Sequence, residues 1–130
     1  MKKLLSLSIL AALATMVFAG PQAKFAKESH DFGKINEGDG KVTYIFDVKN
    51  TGDAPLIITQ VETSCGCTAR EYTKEPIAPG ENGEVKVTYN PSGRPGPFKK
   101  TITVNSNASK KVVLSIKGEV IPKPKKNDNK

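Results

Sequence analysis

The sequence predicts an all-β fold, a β-sandwich of about seven short strands, on three observations. After residue 24, apolar residues recur with a period of two, and no stretch keeps the helical period. Clusters of glycine, proline, asparagine and aspartate separate these stretches at spacings of roughly 8–15 residues. About 100 residues remain after the N-terminal segment, which is enough for one modest core. Two stacked sheets, each with one buried face, fit this pattern.

The first half of the chain predicts four strands before the two cysteines. Residues 25–32 form the first strand, which ends at Gly33, and a short piece begins at Ile35. The clearest alternation covers residues 42–48. The composition of residues 50–53 predicts a turn. Residues 56–61 then form a strand that leads directly to the cysteines.

The second half predicts the remaining strands. Residues 69–72 form a short edge piece, and residues 85–89 alternate as the next strand. Residues 94–97 combine two prolines, a glycine and an arginine, so we expect a rigid connector there. Residues 98–104 and 112–116 then supply the last two apolar faces.

The N-terminal segment, residues 1–19, has the pattern of a signal peptide. Lys2 and Lys3 precede an apolar run over residues 4–18, and small residues around Ala19 provide the cleavage pattern. The run is short for a membrane span, although an uncleaved anchor is the alternative. We therefore expect a periplasmic or secreted protein with no integral membrane segment after signal removal.

The basic character of the chain belongs mainly to its ends. Loss of two lysines with the signal lowers the net charge from +7 to +5. Residues 121–130 account for +3 of this net charge, so the domain at residues 20–120 carries about +2. The composition of residues 121–130 predicts a disordered basic tail. No basic patch interleaves with aromatic residues, and nucleic-acid binding is therefore not expected.

The most distinctive stretch is Ser64-Cys65-Gly66-Cys67-Thr68, which holds both cysteines of the chain. In an extended backbone, residues i and i+2 point to the same face, so both sulfurs would lie side by side. Gly66 would allow the bend that brings them closer. Three interpretations stay open: a local disulfide, a reversible dithiol, or half of a soft-metal site.

A bonded pair with a structural role is the preferred interpretation, because an export compartment is oxidising. The small ring would stabilise little and be easily reduced, which keeps a redox role open. A thioredoxin-like site would need two intervening residues and a helix. A zinc site would need four ligands, and His30 is the only histidine, so no metal or other cofactor is expected. No catalytic set is evident, and His30 is interpreted as a packed strand residue.

Several strings also resemble a known family. They are His30-Asp31-Phe32-Gly33, Phe46, Asn50-Thr51-Gly52, Pro55-Leu56, Ser64 to Thr68, Pro79-Gly80-Glu81, Asn90-Pro91, Gly96-Pro97-Phe98 and Gly118-Glu119-Val120. Together they span residues 25–120 and resemble a family of bacterial exported proteins of unknown function, which is similar to Hydin-type immunoglobulin-like domains. The resemblance implies an immunoglobulin-like sandwich and no established activity.

These observations predict an exported binding or scaffolding module that contacts a protein or cell-envelope partner and is not an enzyme. The alternative is a thiol redox or Cu(I)-handling protein that uses Cys65 and Cys67.

Overall fold

A computed structural model of the protein describes residues 20–66 and 68–124. Within these residues lie eight strands and one short 3₁₀ helix, Glu37–Asp39. The strands are β1 (Ala23–Phe25), β2 (Ser29–Asn36), β3 (Val42–Asn50), β4 (Ile58–Thr63), β5 (Thr68–Tyr72), β6 (Asn82–Tyr89), β7 (Gly96–Ser106) and β8 (Val112–Ile121).

Two four-stranded sheets form the predicted sandwich. The strand order is β1-β3-β6-β5 in the first sheet and β2-β8-β7-β4 in the second. All pairs are antiparallel except β2 with β8. The all-β prediction is confirmed, with both sheets contributing alternate residues to one core.

The core consists mainly of apolar residues that the period-two pattern selects, and the segment between β5 and β6 adds Ile77. Its fully buried members include Phe46, Val85, Val87 and Tyr89 from the first sheet and Ile102, Leu114 and Ile116 from the second. Burial of each such side chain contributes about 1.5–3 kcal/mol, so the interface between the sheets is the main source of stability.

At each side of the sandwich, the chain passes from one sheet to the other. Ala26 N donates to Asp47 O on β3 (3.1 Å), and Glu28 O accepts from Ser115 N on β8 (2.9 Å). The single strand predicted over residues 25–32 is therefore wrong, because the chain changes sheets between β1 and β2. The edge strand β1 is only three residues long, which limits the unpaired edge of the first sheet.

Two glycines with positive φ lie in β2 and shortly after it. Gly33 does not end a strand but lies within β2, where φ is +70° and Asp31 Oδ1 accepts from Gly33 N (2.8 Å). The β2–β8 register shifts at this point, so the glycine supports a bulge. Residues 37–39 form the 3₁₀ helix, which ends at Gly40 with φ +93°.

The predicted connector at residues 94–97 is shorter than expected, because β7 already begins at Gly96. Pro97 lies opposite Glu119 of β8, at a level where no β4 residue pairs with β7. A proline, which lacks an amide hydrogen, is tolerated at such an edge position.

The predicted signal peptide, residues 1–19, and most of the predicted tail lie outside the described residues. At the C-terminus, β8 ends at Ile121, and Lys123 N donates to Glu37 Oε1 (3.2 Å). In the described residues, no helix is long and apolar enough to span a membrane.

Candidate functional site

The cysteine loop, residues 64–67, joins β4 to β5, which are edge strands of opposite sheets. Its first residue continues the pairing of β4 with β7. Ser64 N donates to Thr101 O (3.1 Å), and Thr101 N donates to Ser64 Oγ (3.1 Å). The hydroxyl of Ser64 thus replaces a backbone acceptor and holds the start of the loop on the sheet.

The end of the loop is a tight turn rather than extended backbone. Thr68 N donates to Cys65 O (3.1 Å), and the Thr63 hydroxyl donates to the same carbonyl (3.2 Å). This i to i+3 bond defines a β-turn. Thr68 is only 4% exposed and begins β5 opposite Tyr89. The extended geometry expected for the motif is therefore replaced by a turn.

Gly66 does not need its conformational freedom in this turn. Its φ is not positive, and a Cβ placed on it would meet no atom within 4 Å. Cys65 is half-buried and packs against the core, and it carries no free thiol. Cys67 lies outside the described residues, so the disulfide between the two cysteines stays a prediction.

Arg70 fixes the two strands that flank the loop. Its Nε donates to Val61 O (2.8 Å), which links β5 to β4 across the gap between the sheets. A charged donor on a backbone carbonyl makes a strong hydrogen bond. The loop is thus held at both of its ends.

A surface depression of about 220 Å³ lies beside the cysteine loop, and we call it the basic depression. Its lining residues are Lys41, Gly66, Thr68, Ala69, Thr88, Asn90 and Arg94. The lining carries two cationic side chains and no carboxylate. Its charge therefore favours a negatively charged ligand.

Several donors of the basic depression have no acceptor among the described residues. Asn90 Oδ1 accepts from Ser92 N (3.1 Å), whereas its Nδ2 group donates to none of them. Arg94 Nη1 donates to Ser92 O (3.2 Å), which leaves further guanidinium N–H groups available. Neither Lys41 nor Arg94 forms an ion pair within residues 20–66 and 68–124. Such a donor set can bind a carboxylate.

Glu37 positions the turn that carries Arg94. Its carboxylate accepts from Gly93 N (2.8 Å) and from Lys123 N (3.2 Å). These backbone hydrogen bonds, first that of Lys123 and then that of Gly93, hold the pKa of Glu37 below its ordinary value of 4.5. The carboxylate therefore stays ionised and joins three surface segments.

Sequence reasoning missed the role of Asn50, which it assigned to a turn. The side chain is 0% exposed. Its Nδ2 donates to Ala54 O (2.7 Å) and Ile77 O (2.8 Å), and its Oδ1 accepts from Gly52 N (2.9 Å) and Gln22 N (3.3 Å). One amide thus connects three chain segments, around Gln22, around its own turn and around Ile77. A local pattern cannot indicate this, because Gln22 and Ile77 are distant in sequence.

His30 packs as an aromatic residue, as predicted. Its ring centroid lies 3.8 Å from that of Tyr44 and 4.6 Å from that of Phe32. Among the described residues, no group of three or more histidine, cysteine, aspartate or glutamate side chains could hold a metal ion.

Comparison with known proteins adds a family and a set of folds. A family model described as "Protein of unknown function (DUF1573)" matches residues 23–120. Among solved structures, a protein of unknown function from Porphyromonas gingivalis W83 matches with TM-score 0.67 and 15% identity. The match covers 82% of this chain and 50% of that chain, so the similarity extends over half of the solved chain.

Two further structures resemble the sandwich. The ASH / PapD-like domain 7 of human CEP192 matches with TM-score 0.65 and 13% identity, over 94% of this chain and 100% of that domain. The Escherichia coli chaperone DraB matches with TM-score 0.52 and 15% identity, over 79% of this chain and 56% of that chain. At these identities, the similarity concerns the fold, and it confirms the immunoglobulin-like class.

The same fold also occurs within enzymes. Two Vibrio cholerae proteases and a Bacteroides ovatus xyloglucanase match over less than a third of each enzyme's length. No curated protein matches the chain. Fold similarity alone therefore assigns no activity, and only the residues of the site can indicate one.

Proposed function

Because the chain belongs to the DUF1573 family of proteins of unknown function, its role has to be inferred from the site, and we propose that it is an exported, non-catalytic binding module. Its ligand is an acidic segment of a protein partner in the cell envelope. The partner's carboxylates bind in the basic depression, next to the cysteine loop.

The charge and the unused donors of the basic depression support this proposal. Lys41 and Arg94 supply two positive charges, and Asn90 adds a neutral donor. Arg94 can bind a carboxylate with two parallel hydrogen bonds, which gives directional recognition. Complementary charge of this kind contributes mainly to specificity and to the rate of association. The PapD-like and chaperone neighbours make a binding role consistent with the fold.

Site-specific crosslinking tests the proposal in the envelope. A photoreactive residue at Ala69, in the basic depression, should capture one protein that a probe at exposed Ile57 on the other sheet does not capture. The double variant Lys41→Gln, Arg94→Gln should lose this adduct. The matched control is Lys99→Gln, Lys117→Gln. It removes two exposed positive charges that lie opposite each other on β7 and β8, and it should retain the adduct.

Two results would contradict the proposal. The first is an equal set of adducts from both probe positions, which would indicate collision rather than recognition. The second is an adduct that survives loss of both charges at residues 41 and 94, because binding would then depend on another surface.

A thiol redox role is the second candidate: Cys65 carries no free thiol, as a static disulfide would also require, and the small ring expected with Cys67 would be easily reduced. On this hypothesis, a thiolate of another protein attacks a Cys65–Cys67 disulfide, one mixed disulfide forms, and the other cysteine is released as a thiolate. Cu(I) binding by the reduced pair is the other form of this hypothesis. Thiol counting before and after reductant, together with a reduction potential, would distinguish it from a static bond. The variant Cys65→Ser, Cys67→Ser should abolish exchange and copper uptake while the sandwich stays folded.

A further inference from the structure

The segment that follows the predicted cleavage site is bound tightly by the turn after β3. Gly20 N donates to Asp53 Oδ1 (2.7 Å), and Gly20 O accepts from Asp53 N (3.1 Å). Two residues later, Gln22 O accepts from Thr51 N (2.9 Å). Three hydrogen bonds therefore join residues 20–22 to this turn before β1 begins.

Gly52 shows how close this approach is. A Cβ on Gly52 would overlap Gly20 O and would lie 2.7 Å from Gln22 N and 2.9 Å from Pro21 C. All three are backbone atoms, which cannot move aside as a flexible side chain can. The turn is thus shaped to accept the chain at residue 20.

We propose that cleavage between Ala19 and Gly20 creates an α-ammonium group on Gly20 that forms an ion pair with Asp53, so that removal of the leader locks the N-terminus onto the sandwich. In the hydrolysis, water adds across the peptide bond. Ala19 leaves as a carboxylate that keeps the water oxygen, and Gly20 N takes both protons of the water and becomes an ammonium group. Before cleavage, the same nitrogen is a neutral amide.

The conversion strengthens the contact without moving its atoms. The hydrogen bond already has an ionised acceptor, and cleavage adds a full positive charge on the donor, so the contact becomes an ion pair. The positive φ of Gly20, +106°, also ceases to constrain the residue once no peptide bond precedes it. Cleavage at another bond would place the charge away from Asp53. The ion pair therefore depends on the proposed export and on this cut, and it does not depend on the proposed binding site.

N-terminal sequencing of the exported protein tests the cut, and Gly20 is the expected first residue. Any other first residue overturns the proposal. The ion pair is tested by denaturant unfolding of the protein that begins at Gly20, with a free or an acetylated amine. Acetylation should raise the unfolding equilibrium constant about two- to five-fold at low salt, which is the usual range for an exposed ion pair.

A second substitution makes the test specific. In Asp53→Asn, acetylation should have no further effect, because the charge partner is absent. Asp31→Asn is the matched control, since Asp31 also accepts from a backbone N–H on an exposed turn, and acetylation should keep its full effect there. High salt should reduce the difference. An acetylation effect of the same size in Asp53→Asn, or no effect in the unsubstituted protein, overturns the ion pair.

Discussion

Replacing Asn50 with alanine removes one buried amide and its four hydrogen bonds to backbone groups. The carbonyl of Ala54 and the amides of Gln22 and Gly52 lose this partner, and the carbonyl of Ile77 keeps only its hydrogen bond from Leu56 N (2.9 Å). A net loss of roughly 0.5–1.5 kcal/mol for each hydrogen bond gives a destabilisation of about 2–4 kcal/mol after allowance for the long bond to Gln22. Water cannot replace the lost partner readily, because Asn50 is 0% exposed.

Asn107 provides a matched control. Its Oδ1 accepts from Ile57 N (2.8 Å) and its Nδ2 donates to Pro55 O (3.0 Å), but the side chain is exposed. Water can replace these bonds, so Asn107→Ala should cost about 1 kcal/mol or less. Urea unfolding of both variants, followed by circular dichroism, measures the difference. Equal losses of stability for the two variants would refute the view that one buried amide organises the three segments.

Three further predictions concern single contacts. Glu37→Gln should be less stable than the parent protein above pH 4.5. The difference in stability should vanish as the pH falls through the lowered pKa of Glu37. Urea unfolding midpoints of both proteins at several pH values measure this difference. Gly52→Ala should destabilise by about 1–3 kcal/mol in denaturant unfolding because it meets backbone, whereas Gly66→Ala should stay within about 0.5 kcal/mol. Gly118→Ala should displace the Phe98 ring, which lies 2.9 Å from the new Cβ, and shift its NMR signals. Three results would contradict these expectations. They are equal losses of stability for Gly52→Ala and Gly66→Ala, a stability difference for Glu37→Gln that does not change with pH, and unchanged NMR signals of the Phe98 ring in Gly118→Ala.

The alternation of apolar residues predicted most of the frame correctly. Residues 42–48 and 85–89 became β3 and β6, because each buries every second side chain against the opposite sheet. The same pattern could not separate β1 from β2. A strand that changes sheets keeps its extended backbone, so only long-range pairing with β3 and β8 reveals the break.

The candidate site was predictable only in part. The cysteine motif marked the loop at residues 64–67, but the basic depression combines it with Lys41, Asn90 and Arg94, which lie far away in sequence. From the sequence, Arg94 is only part of the predicted connector at residues 94–97, because its neighbours in space depend on the pairing of β5 with β6. Local spacing carries no information about such a juxtaposition.

A peptide titration followed by amide NMR shifts tests the binding site most directly. A short peptide with two glutamates should shift the signals of Gly66, Ala69 and Asn90, and the same peptide with glutamines should not. Lys41→Gln, Arg94→Gln should abolish these shifts. Equal shifts with both peptides, or shifts that survive this double substitution, would contradict the assignment of the basic depression to a carboxylate ligand.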